Sequence, residues 1–204
     1  MIGLFVSGTG TGVGKTWFCG LLARRHVRAG GRVCYVKPVQ TGCPPDDDAA
    51  QVRLAAGLPP DRALALHCAA EPVAPCFVFD PFPFDETVAP IRAIIDRAPC
   101  DLLLVEGAGG LLSPLDRVRQ AWHFAQALDL GIVLVVPNRL GCLNDALLNR
   151  HFIATQGLRL QAVALNDSFA TDARLQALHR EKFEEYFPAA DLYVFNETLT
   201  GPGR

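Results

Sequence analysis

Gly8-Thr9-Gly10-Thr11-Gly12-Val13-Gly14-Lys15-Thr16 restricts the fold of this chain more than any other segment. An apolar run, Ile2 to Val6, precedes it, and a helix-like stretch, Trp17 to Ala29, follows it. Strand, glycine-rich turn and helix in that order form a phosphate-binding loop. Glycines let successive backbone N–H groups turn inward without a clashing Cβ. The helix that follows points its positive end at the same place. Within that loop Lys15 is a mobile cation for the outer phosphates and Thr16 a hydroxyl for a hard metal ion. The common spacing would start the turn at Thr9; here the first glycine is Gly8, which makes the loop about one residue longer than the usual form. A merely flexible turn would explain neither Lys15-Thr16 nor the preceding strand.

Apolar runs alternate with longer amphipathic stretches along the whole chain. The pattern predicts strands at Ile2–Ser7, Arg32–Lys37, Asp101–Glu106, Ile132–Pro137 and Gln161–Asn166, with a weaker one at Leu192–Phe195. Helices are expected at Lys15–Ala29, Asp47–Ala56, Asp85–Arg97, Arg119–Leu128, Leu143–Gln156 and Ala173–Tyr186. Continuous runs such as Val133 to Val136 suit strands covered on both faces of a parallel sheet. The expected fold is therefore an α/β, doubly wound, mostly parallel sheet flanked by helices, in one domain over residues 1–204. Pro72 to Pro83 reads as a long ordered loop.

Charge and cysteine usage narrow the function. Lys and Arg number 19 against 21 Asp and Glu, a net charge of −2 that argues against nucleic acid as the main partner. No apolar run approaches the roughly 18 residues of a membrane span. A strand that begins at once leads us to expect no signal peptide and a cytoplasmic location. The seven Cys form no Cys-x-x-Cys pair and read as reduced, mostly core-filling thiols. The five His have no metal-ligand spacing with a Cys or another His, so no zinc site is expected.

In a doubly wound sheet ligands sit beyond the carboxyl ends of the strands, and there each run delivers a polar group. The second ends in Lys37-Pro38-Val39-Gln40-Thr41-Gly42, the third in Glu106 to Gly110, the fourth in Pro137 to Asn144, the fifth in Asn166-Asp167. Each has an ordinary alternative. Lys37 is either a solvated strand-end lysine or a phosphate ligand, and Glu106 either a local cap or a carboxylate for Mg²⁺ or water. In Asp46-Asp47-Asp48, helix capping competes with metal binding by one of the three. Asn166 either makes an Asx turn or presents its amide to a base.

Taken together, these motifs resemble the dethiobiotin synthetase family. The resemblance rests on Gly8–Thr16, Lys37–Val39, Glu106–Gly110, Pro114–Leu115, Leu140–Asn144 and Asn166–Asp167 in that order, with Glu71 to Pro75 similar to a loop flanking the substrate. It covers roughly residues 1–170. It implies ATP- and Mg²⁺-dependent ring closure of 7,8-diaminononanoate with CO₂ to dethiobiotin, ADP and phosphate. It implies Lys15, Lys37, Thr11 and Thr41 around the reacting groups, and Gly12, Val13, Gly14, Lys15, Thr16 and Asn166 around the nucleotide. It further implies Thr16, Asp48 and Glu106 at the metal, and Gly141, Cys142, Leu143 and Asn144 at the substrate carboxylate, in the family from the second subunit of a homodimer. Thr41 matches a family serine. Arg139 stands where the family usually has lysine, and Asp145 and Cys76 replace common histidines. The family's proline-flanked loop that helps hold the base and ribose is not recognisable after Ala189. Two other classes fit the phosphate loop: a switch-type ATPase of the partitioning and septum-positioning kind, and a silent nucleotide-binding relative.

Overall fold

The computed structural model describes residues 1–44, 47–170 and 172–200. Asp46, one of the three acidic residues singled out above, and the Gly201 to Arg204 tail lie outside the described residues.

The strands are β1 (Ile2–Gly8), β2 (Val33–Thr41), β3 (Ala63–Ala69), β4 (Leu102–Glu106), β5 (Gly131–Pro137), β6 (Leu160–Asn166), β7 (Asp191–Phe195) and β8 (Leu199–Thr200). The helices are α1 (Lys15–Arg28), α2 (Asp48–Ala56), α3 (Phe84–Arg97), α4 (Trp122–Ala127), α5 (Cys142–Thr155) and α6 (Ala173–Tyr186). One sheet runs in the order β3-β2-β4-β1-β5-β6-β7-β8. Every pairing is parallel except that of β8, which turns back antiparallel on β7.

Helices cover both faces, as side-chain alternation requires. Leu4, Val6, Tyr35 and Leu104 face α1 and α2. Phe5, Val36, Leu103 and Val105 face α3 and α4. Farther along, Leu134, Val136, Val163 and Leu165 pack under α5 and α6. The chain leaves β1 in one direction towards β2 and β3, returns through β4, and then builds the other half from β5 onward. The point of reversal lies beside β1, so the ends of β1, β2 and β4 open onto one crevice.

Two strands escaped the sequence pattern. β3, Ala-Leu-Ala-Leu-His-Cys-Ala, is a half-exposed edge strand of small residues with little β propensity, supported by β2 alone. β8 spans only two residues. β2 also runs through Pro38 to Thr41. Its pairing with β4 ends at Val36–Val105, and on the β3 side the register skips from Lys37–Ala65 to Val39–His67, so the missing proline N–H removes no ladder bond. α4 begins at Trp122 rather than Arg119 because Asp116 Oδ1 accepts from the amides of Val118 and Arg119, which holds that segment as a turn. The 72–83 segment is irregular apart from one 3₁₀ turn, Pro75–Phe77.

Candidate active site

The phosphate loop bridges β1 and α1. Gly12 and Gly14 have φ of 72° and 100°, the left-handed region where glycine alone is unstrained. Gly14 is fixed by space as well, since a Cβ there would lie 2.4 Å from Asn166 Nδ2. Among the described residues no side chain caps α1, so the amides of its first turn remain available for an anion.

Period-two alternation places the polar groups of two neighbouring strands on the α1 face. Tyr35 and Lys37 project from β2 on the same side as Leu104 and Glu106 from β4. Lys37 lies one residue past the Val36–Val105 pair and therefore beside Glu106. Its ammonium is 2.6 Å from Glu106 Oε1 and 2.6 Å from Asp48 Oδ2. Thr16 Oγ1 donates to the same Glu106 oxygen at 2.9 Å, and the Tyr35 hydroxyl donates to Glu106 Oε2 at 2.8 Å. Glu106 is fully buried and carries three donors.

The acidic run near α2 divides its labour. Asp47 is the N-cap and accepts from Ala50 N at 2.8 Å, whereas Asp48 turns to Lys37. Gln40 Oε1 accepts from Asp48 N at 3.2 Å, and Gln40 Nε2 is buried without a partner among the described residues.

Electrostatics distinguish the two lysines. For Lys37, burial alone would lower the pKa, but the carboxylates of Glu106 and Asp48 raise it, so it stays an ammonium. Burial pulls Lys15 down to about 8, with Lys37 adding to the fall and Glu106 and Asp48 opposing it. Lys15 Nζ donates to Gly10 O at 2.9 Å, which curls it over its own loop. Burial, then the Glu106 charge, push the Tyr35 hydroxyl and the Cys19 thiol well up, so both remain protonated donors.

Thr11, Gly12, Gly14, Lys15, Thr16, Lys37, Thr41, Asp48 and Glu106 all line one cleft of about 430 Å³. Val13 is buried behind the loop. Asn166 sits beneath it: Nδ2 donates to Val13 O at 3.1 Å, and Oδ1 accepts from Ser168 N at 3.1 Å in an Asx turn. Gly141 to Asn144 open α5 and do not line this cleft. Cys142 among them adjoins a buried polar chain instead. His179 Nδ1 meets Asn138 Oδ1 at 2.6 Å and Cys142 Sγ at 3.5 Å, Asn138 Nδ2 donates to Asp167 Oδ1 at 2.7 Å, and Arg180 pairs with Asp167. Arg139 and Asp145 form an ion pair at 3.2 Å.

Tyr35, Gln40 and Cys19 were not singled out in the sequence. A tyrosine two residues before Lys37 on the same strand face was the available signal; for the other two none existed.

Hard oxygen donors, two carboxylates and one hydroxyl, suit a small divalent cation that takes its remaining ligands from phosphate and water. Among the described residues no cluster of three or more His, Cys, Asp or Glu is placed for a metal, and no helix is long and apolar enough to cross a membrane.

A family profile described as an AAA domain matches residues 2–190. The ATP-dependent dethiobiotin synthetase of Xylella fastidiosa (strain 9a5c) is 34% identical, over 76% of this chain and 73% of its own. The enzyme of the same name from Aromatoleum aromaticum is 35% identical over 86% and 84%, and that of an Anaeromyxobacter species 36% over 84% and 79%. Among solved structures, the signal recognition particle receptor FtsY of Elizabethkingia anophelis superposes with a TM-score of 0.55 at 20% identity, covering 95% of this chain. The chain spans only 58% of that receptor's length. The MinC:MinD cell division complex of Aquifex aeolicus gives 0.57 at 15% identity, over 97% and 82%. At these identities the two structures establish the shared fold alone.

Proposed function

Because the chain belongs to the family of ATP-dependent dethiobiotin synthetases, we propose that it closes the cyclic urea of dethiobiotin from 7,8-diaminononanoate, CO₂ and ATP, releasing ADP and phosphate. One observation carries this reading: the phosphate loop, Lys37, Thr41, Asp48 and Glu106, from separate segments, line a single cleft.

In the proposed reaction one amine captures CO₂ as a carbamate, a carbamate oxygen takes the γ-phosphoryl group, and the second amine attacks the carbonyl carbon and expels phosphate. Such chemistry needs positioning and charge neutralisation more than a protein nucleophile. Lys15 and the α1 amides bind the outer phosphates. Lys37 balances the carbamate and the transferring group, while Thr11 and Thr41 donate hydrogen bonds to their oxygens. Thr16, Asp48 and Glu106 would hold Mg²⁺, which supplies Lewis-acid neutralisation of phosphate charge. Asn166 retains one N–H and one lone pair for a purine edge, and the Gly141–Asn144 turn offers amides to a carboxylate.

A homodimer would bring the Gly141–Asn144 turn to a neighbouring cleft. Leu140 is 81% exposed beside that turn and Leu148 on α5 is 62% exposed, an apolar face suited to a second copy. We take residues 1–204 as one synthetase domain working in the cytoplasm with small-molecule substrates, neither nucleic acid nor membrane.

ADP release with and without diaminononanoate and bicarbonate tests the reading. Release that requires both is expected. Release independent of the diamine would indicate a switch-type ATPase, and nucleotide binding without release a silent relative.

A further inference from the structure

The oxygen groups assigned above to a divalent ion converge on something already charged. Lys37 Nζ stands 2.6 Å from Asp48 Oδ2 and 2.6 Å from Glu106 Oε1, and Thr16 Oγ1 donates to that same Glu106 oxygen. A small hard cation binds such oxygens at roughly 2.0–2.1 Å. It would then press against the Lys37 ammonium, and like charges that close inside a buried cluster repel strongly. The ammonium and the ion cannot share these oxygens.

Stiffness decides which group yields. Glu106 closes a central strand, is fully buried, and has its second oxygen held by the Tyr35 hydroxyl at 2.8 Å. Asp48 begins α2, where its backbone amide is bonded to Gln40. Lys37 reaches the carboxylates on a four-carbon stem with rotatable bonds, and the cleft it lines also holds Thr11 and Thr41.

We propose that Lys37 is the resident counter-ion of this oxygen set and that a divalent cation displaces it, turning the Lys37 ammonium out towards the oxygens of the carbamate and the transferring phosphoryl group. Cation binding and the arming of Lys37 are then one event, and acceptor chemistry follows metal binding. This rests on the reading of Thr16, Asp48 and Glu106 as metal ligands.

Titration of the full-length protein with Mn²⁺ alone, followed by the electron paramagnetic resonance of the free ion, tests it without turnover. Lys37→Met is expected to bind Mn²⁺ about tenfold more tightly than wild type or better, because the competing charge is gone. Lys15→Met removes a charge from the same cleft but not from the carboxylates, and should gain much less. Equal or weaker binding by Lys37→Met, or an equal gain by Lys15→Met, overturns the exchange. Glu106→Gln separates this from failure of the metal reading: if it leaves Mn²⁺ affinity unchanged, the ligand assignment falls and the exchange with it. A second measurement needs no variant. Amine acetylation of wild type, read by mass spectrometry at Lys37, should rise several-fold when Mg²⁺ is added; an unchanged rate overturns the proposal.

Discussion

The Tyr35 hydroxyl reaches across from β2 to hold Glu106 Oε2 at 2.8 Å, while Lys37, two residues later on the same strand face, takes Oε1. Tyr35→Phe keeps the ring but leaves a buried carboxylate oxygen without its donor. Urea denaturation should show a loss of about 1–3 kcal/mol, and the Mg²⁺ concentration for half-maximal rate should rise. Unchanged values of both would mean that the hydroxyl does not orient Glu106.

Lys15→Ala should lower kcat at least about 10²-fold, the scale for removing one preorganised charge-stabilising group. Far-ultraviolet circular dichroism should not change, because among the described residues the Lys15 ammonium bonds only to its own loop, at Gly10 O. A variant keeping more than about a tenth of the wild-type rate would remove Lys15 from phosphate binding.

Gly14→Ala meets two obstacles: a φ of 100° and a contact of 2.4 Å with Asn166 Nδ2. The strain of the backbone alone is of order 1–3 kcal/mol. Adding Asn166→Ala clears the contact but not the strain, so the double variant should be less destabilised than the sum of the two single ones. Strict additivity in thermal denaturation would show that Asn166 swings away freely.

Burial holds the His179 imidazole below its ordinary 6.5. Asp167 accepts from Asn138 Nδ2, so Asn138 Oδ1 faces the ring and Nδ1 carries the proton. Near neutral pH the folded and unfolded states are both neutral at this site. As pH falls through 6.5 the unfolded chain gains a proton first, and stability declines until the depressed folded value is passed. His179→Asn should flatten that part of the stability profile. Asn138 and Cys142 face the ring, and burial pushes the Cys142 thiol up, away from that window.

Alternation made β1, β4, β5 and β6 legible because each is covered on both faces and reads as an unbroken apolar run. β3 was not, since an edge strand borrows its order from β2 and its own residues carry little signal. Lys15 could be named from the phosphate loop and Lys37 and Glu106 from strand ends, whereas Tyr35, although two residues before Lys37 on the same face, reads as core inside an apolar strand until the register with β4 sets its hydroxyl against a carboxylate. Arg139 and Asp145, two separate departures from the family pattern, turn out to face each other at 3.2 Å. With Arg139 exposed and Asp145 half-buried, the pair contributes roughly 0–1 kcal/mol, and its relation was invisible without the fold of the turn between them.

The bonds that converge on Glu106 span 90, 71 and 69 residues of chain. Thr16, Tyr35 and Lys37 leave the ribosome long before the carboxylate that satisfies them. Asp48 can partner the Lys37 ammonium early, but only Glu106 ties it to β4, and β2 joins the rest of the sheet only through β4, so β2 cannot settle into the sheet until β4 has been synthesised. During synthesis the first hundred residues thus wait for one strand, and the arrival of β4, ending in Glu106, lets half the sheet close.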